Sequence, residues 1–267
     1  MRKVARILLL SLLSLFVLAG LQPATAAPYP KSMAALGDSI TQATNACCSI
    51  GNHPAQSWST GNSRFDRTTS HYERLLHVVP GIRGKTYNNS TSGAKAADLP
   101  GQAEQAVNQK AEYVTILMGA NDLCTPTVDT MTPVETFRTH VNRALATLDR
   151  MRPRPRIFVS SIPNLHHLWS ILHTKPTATE VWSAARICQS MLAASNTPEQ
   201  RKQVVQRELA FNAVLAETCA QYKSCRSDRG AVYDYRFRAS DVSDLDYFHP
   251  SIKGQAKLAE ITWRAAW

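Results

Sequence analysis

Tyr113-Val114-Thr115-Ile116-Leu117-Met118-Gly119-Ala120-Asn121-Asp122 decides how the rest of the chain is read. A nearly unbroken apolar run, rich in β-branched residues, stops at Gly119. A run this short, closed by turn-forming residues, reads as a strand covered on both faces, the kind a parallel sheet requires. Met33–Leu36 has the same form and stops at Gly37-Asp38-Ser39. Arg156–Ser161 is a third run, a weaker one surrounds Lys85–Asn88, and Ala231-Val232-Tyr233-Asp234-Tyr235 offers a fifth.

Helical patterns alternate with these runs. Thr132-Pro133-Val134-Glu135 places a capping Thr, a first-turn Pro and a Glu three residues on, ahead of Phe137, Val141, Leu145 and Leu148. Thr197-Pro198-Glu199-Gln200 repeats the signal and opens a helix carrying Val204, Val205, Leu209, Val214 and Leu215. A last helix follows Pro250 with Ile252, Leu258, Ile261 and Trp263. The Pro, Ser and Thr richness around 161–180 reads as a long excursion over the sheet. Strand–helix alternation gives a three-layer α/β/α sandwich with a mainly parallel central sheet, in which active residues gather at the carboxyl ends of strands.

The start of the chain reads differently. Arg2, Lys3 and Arg6 precede an apolar run from Ile7 to about Leu21, and Ala24-Thr25-Ala26 has the small-x-small form of a cleavage site. Residues 1–26 are therefore expected to be a secretory signal peptide, and 27–267 a single domain of an extracellular protein. The run is short and ends near Pro23, which weighs against a retained anchor, and no later stretch is long and apolar enough to span a bilayer. The net charge is +10, with three of the cations in the leader. The remaining Lys and Arg are scattered, apart from Arg152-Pro153-Arg154-Pro155-Arg156, with no aromatic-interleaved stripe, so nucleic acid is not an expected partner.

The six cysteines, in a secreted chain, point to disulfides. Cys219 and Cys225 are close enough for a small loop, and Cys124 with Cys188 is a plausible long-range pair. Adjacent Cys47 and Cys48 are left to a vicinal ring, to the reduced state or to other pairings. The spacing lacks the paired C-x-x-C of a zinc site, and His166, His167 and His173 have no acidic partners nearby, so no metal is expected.

The strand ends carry the chemistry. They read Gly37-Asp38-Ser39-Ile40, Asn88-Asn89-Ser90-Thr91-Ser92-Gly93 and Gly119-Ala120-Asn121-Asp122, and Asp246-Tyr247-Phe248-His249-Pro250 stands before the last helix. A serine becomes a nucleophile when an imidazole takes its proton and a third group fixes that imidazole. Asp246, three residues before His249, is within a turn's reach of it. A glycine N–H and an asparagine amide are suitable donors to an oxyanion. The G-x-S-x-G of α/β-hydrolases and the phosphate-binding G-x-x-x-x-G-K-[ST] are both absent.

With Ser39 in GDSI, Gly93 in NNSTSGA, Asn121 in GAND and His249 in DYFHP, the chain resembles the SGNH hydrolases, or GDSL-type esterases and lipases, in their secreted actinobacterial form. Ile40 replaces the usual Leu. The resemblance implies the flavodoxin-like SGNH fold and a cofactor-free ester hydrolase. It implies Ser39 as nucleophile, His249 as general base and acid, Asp246 as its orienting group, and an oxyanion hole of the Ser39 and Gly93 N–H groups with the Asn121 side chain. Asp38 holds the turn. Asp241 and Asp244 lie close to Asp246, and a backbone carbonyl is the alternative orienting group. The implied substrate is an ester of a lipid or lipid surface, handled by a monomer that does not insert in the membrane. A carbohydrate O-acetylesterase and a non-catalytic binding protein are the alternatives. Trp58, Phe65, Trp169, Leu172 and Trp182 are candidates for an acyl pocket or for core.

Overall fold

Five strands and ten helices make up the computed structural model over the residues it describes, 29–63 and 68–267. The expected leader and Phe65 lie outside these residues. In chain order the elements are β1 (Met33–Gly37), α1 (His71–Val78), β2 (Thr86–Asn88), α2 (Leu99–Asn108), β3 (Tyr113–Leu117), α3 (Ala120–Leu123), α4 (Val134–Asp149), β4 (Arg156–Val159), α5 (Leu165–Leu172), α6 (Pro176–Ala184), α7 (Gln189–Leu192), α8 (Pro198–Ala220), β5 (Cys225–Ser227), α9 (Ala231–Asp234) and α10 (Ile252–Ala266). Among the described residues no helix is long and apolar enough to cross a membrane.

The sheet is parallel throughout, in the order β2-β1-β3-β4-β5. Every residue of β1 and β3 is buried, which is why both read as continuous apolar runs. Alternate residues of β3 face opposite layers. Tyr113 and Thr115 meet α1 and the Ser59 segment, through His71 (2.8 Å) and Ser59 (2.6 Å). On the other face α2, α4 and α8 pack together, with Phe137 of α4 stacked on Phe211 of α8 at 4.0 Å. The α/β/α sandwich read from the sequence is the observed fold.

The register positions the site. Met33 pairs with Tyr113 and Gly37 with Leu117, so β1 and β3 end level. The chain leaves them in opposite directions across the sheet, since β2 lies beyond β1 and β4 beyond β3. This is the switch point at which parallel α/β sheets open a crevice. Two glycines are required there. At Gly37 (φ 149°) a Cβ would sit 2.3 Å from the Leu117 carbonyl oxygen, and at Gly119 (φ 127°) one would sit 2.6 Å from Ile162 Cδ1.

Several local expectations are corrected. Residues 231–235 are not a strand: Ala231–Asp234 form a helical turn, with Asp228 accepting the N–H groups of Gly230 and Val232, both at 3.0 Å. The fifth strand is Cys225–Ser227, polar because it is the sheet edge. Thr132 does not cap α4: Pro133 takes the N-cap position without a side-chain bond, and the Thr132 N–H donates to the Asp122 carbonyl (3.0 Å). The capping box at Thr197 and Gln200 forms as expected. The excursion at 161–180 is largely helical, as α5 and α6. On α8, Leu209 is exposed and its neighbour Glu208 is buried, accepting the Leu165 N–H at 3.1 Å. The structure contains both expected disulfides, Cys124–Cys188 and Cys219–Cys225.

Candidate active site

Ser39 sits on the turn leaving β1. The turn is closed by Thr41 and Gln42 N–H groups on the Asp38 carbonyl (both 3.1 Å) and by Ile40 N–H on Asp38 Oδ1 (2.9 Å). From below, the buried Gln102 of α2 holds Gly37 by both backbone groups, accepting its N–H at 2.7 Å and donating to its carbonyl at 2.9 Å. Gln255 of α10 donates to the Ile40 carbonyl at 2.9 Å. The serine thus stands on a turn clamped by amides from both helical layers.

His249 arrives from the segment before α10, with its Nε2 2.8 Å from Ser39 Oγ and its Nδ1 2.6 Å from Asp246 Oδ2. An ionised carboxylate only accepts, so Nδ1 carries the hydrogen and Nε2 is left to accept from the serine hydroxyl. Asp246 is buried and well satisfied. Its Oδ1 accepts the N–H groups of Phe248 (2.9 Å) and His249 (3.0 Å), and its Oδ2 also accepts the Asn45 amide (2.6 Å). Burial alone would raise its pKa; the hydrogen bond and charge of His249, with Asn45 and Phe248, outweigh that and hold the carboxyl below the usual range. The left-handed Tyr247 (φ 55°) makes the reversal between Asp246 and His249, and its carbonyl is held by Trp182 Nε1 at 3.0 Å.

Gly93 (φ 82°) lies in the exposed loop after β2. That loop is tied to the end of β1 by Thr91 N–H on the Gly37 carbonyl (3.2 Å), and to α3 by Asn121 Nδ2 on the Ala94 carbonyl (2.9 Å). One hydrogen of the Asn121 amide is used in this way, and a primary amide has a second to give. The structure therefore links Ser39, His249 and Asp246 by direct bonds. Gly93 and Asn121 are joined through their shared neighbour Ala94.

Asp38 itself is fully buried, and its Oδ2 has no hydrogen-bond partner. Burial pushes its carboxyl up to about 7, against the Ile40 N–H and the charge of His249, and Asp122 adds to the rise. Asp241 and Asp244 do not reach His249: Asp241 Oδ2 accepts the Arg238 N–H at 2.8 Å, while His249 bonds Asp246.

An apolar pocket opens beside the serine, lined by Ile40, Ala120, Leu168, Ile171, Phe237 and Phe248 among others. Four of the aromatic and apolar residues proposed for this role lie elsewhere. Trp58, Leu172 and Trp182 are buried in the core, and Trp169 stacks on His173 at 4.2 Å with Arg201 over its other side at 4.5 Å. The wall comes instead from positions 168 and 171 of α5, one helical step round. His167 Nε2 meets the Phe237 carbonyl at 2.8 Å, and no group of three or more His, Cys, Asp or Glu among the described residues is arranged to hold a metal. Asn45, Gln102 and Gln255 were missed by sequence reasoning because each acts on a residue far along the chain.

Comparison with known proteins bears on the family and the fold. The model of the GDSL-like lipase/acylhydrolase family matches residues 33–262. The membrane-associated phospholipase B1 of Mus musculus is 24% identical over 219 residues, which is 70% of this chain and 15% of the mouse protein. The chain thus spans under a fifth of that relative. An acetyl xylan esterase superposes with a TM-score of 0.52 at 16% identity, over 87% of this chain and 98% of that one. A family two carbohydrate esterase from Clostridium thermocellum, in complex with cellohexaose, gives 0.50 at 15% identity, over 88% and 63%. At these identities the two structures speak to the fold.

Proposed function

The chain belongs to the GDSL-like lipase/acylhydrolase family, and from that premise we propose that it is a serine ester hydrolase whose substrates carry an apolar acyl chain, as lipids do. The observation that carries the reading is the unbroken relay from Ser39 Oγ to His249 Nε2 (2.8 Å) and from His249 Nδ1 to Asp246 (2.6 Å), opening beside an apolar pocket.

Ser39 Oγ attacks the acyl carbonyl as its proton passes to His249 Nε2. The oxyanion accepts the N–H groups of Ser39 and Gly93 and the second hydrogen of the Asn121 amide. Asp246, kept ionised by its donors, stabilises the imidazolium that forms and holds its tautomer. The intermediate collapses as His249 gives its proton to the departing alkoxide. Water then attacks the acyl-enzyme with His249 again as base, which releases the carboxylic acid and restores Ser39.

The pocket supports an acyl group longer than acetyl, because an acetyl methyl would leave most of its apolar wall against water. The two disulfides and the leader pattern of residues 1–26 support secretion of 27–267 as one domain into an oxidising environment. The test is hydrolysis of p-nitrophenyl esters from acetyl to palmitoyl by wild type and Ser39→Ala. Turnover is expected to peak at medium or long chains and to vanish in the variant. A peak at acetyl alone would point to a carbohydrate O-acetylesterase, and turnover retained by Ser39→Ala would sink the mechanism.

A further inference from the structure

The two flanks of Ser39 differ in chemistry. One is the apolar pocket. On the other stands a cluster that the acyl chemistry does not use: Thr44, Asn52 and Ser92. The hydroxyls of Thr44 (2.6 Å) and Ser92 (2.7 Å) both donate to Asn52 Oδ1, and their oxygens lie 2.9 Å apart. With both hydroxyl hydrogens directed at that oxygen, the cluster offers outward two hydroxyl acceptors and the Asn52 amide as donor. Asn52 and Ser92 are exposed.

The cluster is fixed to the site at three points. Thr44 N–H donates to the Ser39 carbonyl (3.0 Å), Ser92 directly precedes Gly93, and Asn45, next to Thr44, holds Asp246 (2.6 Å). The loop that carries Thr44 and Asn52 is constrained. Ala43, Asn45 and Cys48 are all left-handed (φ 50°, 54° and 63°). Asn45 N–H bonds the Gly51 carbonyl at 2.7 Å, and Asn45 Oδ1 accepts the Gly51 N–H at 2.8 Å. Backbone strain of this kind persists where the surroundings over-determine it, and it collects at functional sites. From Ser92 a polar groove continues along Asn89, Thr91 and Gln105, and its charged lining residue is the carboxylate of Asp98.

We propose that the Thr44–Asn52–Ser92 cluster binds the alcohol part of the ester, and that this alcohol is a neutral polyol presenting adjacent hydroxyl groups. The inference rests on the serine-hydrolase reading, and it narrows the substrate to esters with an apolar acyl chain and a glycerol or sugar alcohol. Neighbouring hydroxyls each donate and accept, which matches two acceptors flanking an amide donor. A phosphate group needs cations or several converging N–H donors; the cluster itself offers one amide, and the groove that continues from it is lined by the Asp98 carboxylate, a like charge.

The test holds the acyl group constant at octanoyl and varies the alcohol: p-nitrophenol, glycerol, glucose and, as dioctanoylphosphatidylcholine, a phospholipid. The quantity read is kcat/KM on each polyol ester divided by kcat/KM on the p-nitrophenyl ester. Asn52→Leu is expected to lower that ratio about tenfold, the equivalent of one hydrogen bond, and Ser92→Ala to lower it by a smaller factor. Whichever of the glycerol and glucose esters the wild type prefers identifies the polyol. A ratio unchanged in both variants, or a wild-type preference for the phospholipid over both polyol esters, would overturn the proposal while p-nitrophenyl octanoate turnover left the hydrolase reading standing. Absence of turnover on every ester would overturn both.

Discussion

Two histidines in this fold are each bonded through both ring nitrogens, and they differ in almost everything else. His249 lies between Ser39 Oγ (2.8 Å) and the Asp246 carboxylate (2.6 Å) at the mouth of a pocket. His71 lies between the Tyr113 hydroxyl (2.8 Å) and the Thr262 hydroxyl (2.9 Å), fully buried and ringed by Trp58, Phe158 and Trp263. Thr262 directs its hydrogen to the Leu258 carbonyl, so it accepts from His71 Nε2–H, and Nδ1 accepts from Tyr113. Burial drives the His71 pKa down to about 3, so this imidazole stays neutral. The comparison teaches that a doubly bonded histidine is not in itself a catalytic sign. What separates the two is the carboxylate, which makes an imidazolium tolerable, and access to substrate.

The largest effect should come from breaking the first histidine's relay. Ser39→Ala or His249→Ala should each lower kcat by roughly 10⁴-fold or more, with the double variant little worse than either, as expected of residues that act as a unit. Full ester turnover by His249→Ala would break the comparison.

The second histidine should act on stability instead. Its folded-state pKa lies below the usual 6.5, so its contribution is complete above pH 6.5 and is lost as pH falls toward 3. The urea-derived stability of wild type relative to His71→Phe should fall by about 1.4 kcal/mol per pH unit across that window, toward ~5 kcal/mol in all. A pH-independent difference would show that His71 is not the buried neutral group described.

Asp38 should behave in the opposite sense. Its folded-state pKa, about 7, lies above the usual 3.8, so the folded protein binds the extra proton between these values and loses stability as pH rises through them. Asp38→Asn keeps an oxygen for the Ile40 N–H and removes the titration. Its stability relative to wild type should therefore rise between pH 4 and 7, by up to ~4 kcal/mol. The smallest effect is at Asn45, where Ala removes one donor to Asp246. It should cost about tenfold in kcat/KM, measured on a p-nitrophenyl ester.

The same contrast explains what was legible in the sequence. β1 and β3 could be read because a strand buried on both faces has to be apolar throughout. Cys225-Arg226-Ser227 could not, because an edge strand takes its place from β4 and from the Cys219 disulfide rather than from its own pattern. Ala231–Tyr235 alternates like a strand, yet Asp228 captures the N–H groups that make it a turn of helix. In the site, Ser39 and Asn121 stand out because each follows closely on the end of an apolar strand, and Asp246 and His249 because they are three residues apart. The Asn45–Asp246 bond joins residues 201 positions apart and leaves no local trace. Leu168 and Ile171 have the three-residue spacing of a helix face, but only the packing of α5 selects that face over Trp169 and Leu172.

The central claim, that His249 activates Ser39, is tested most directly by stoichiometric labelling with diisopropyl fluorophosphate. The phosphorus–oxygen bond that forms is then located by peptide mass spectrometry. The account predicts one adduct, on Ser39, formed at an undiminished rate in His71→Phe and at least 10³-fold more slowly in His249→Ala. An adduct on another residue, or equal rates in wild type and His249→Ala, would contradict it.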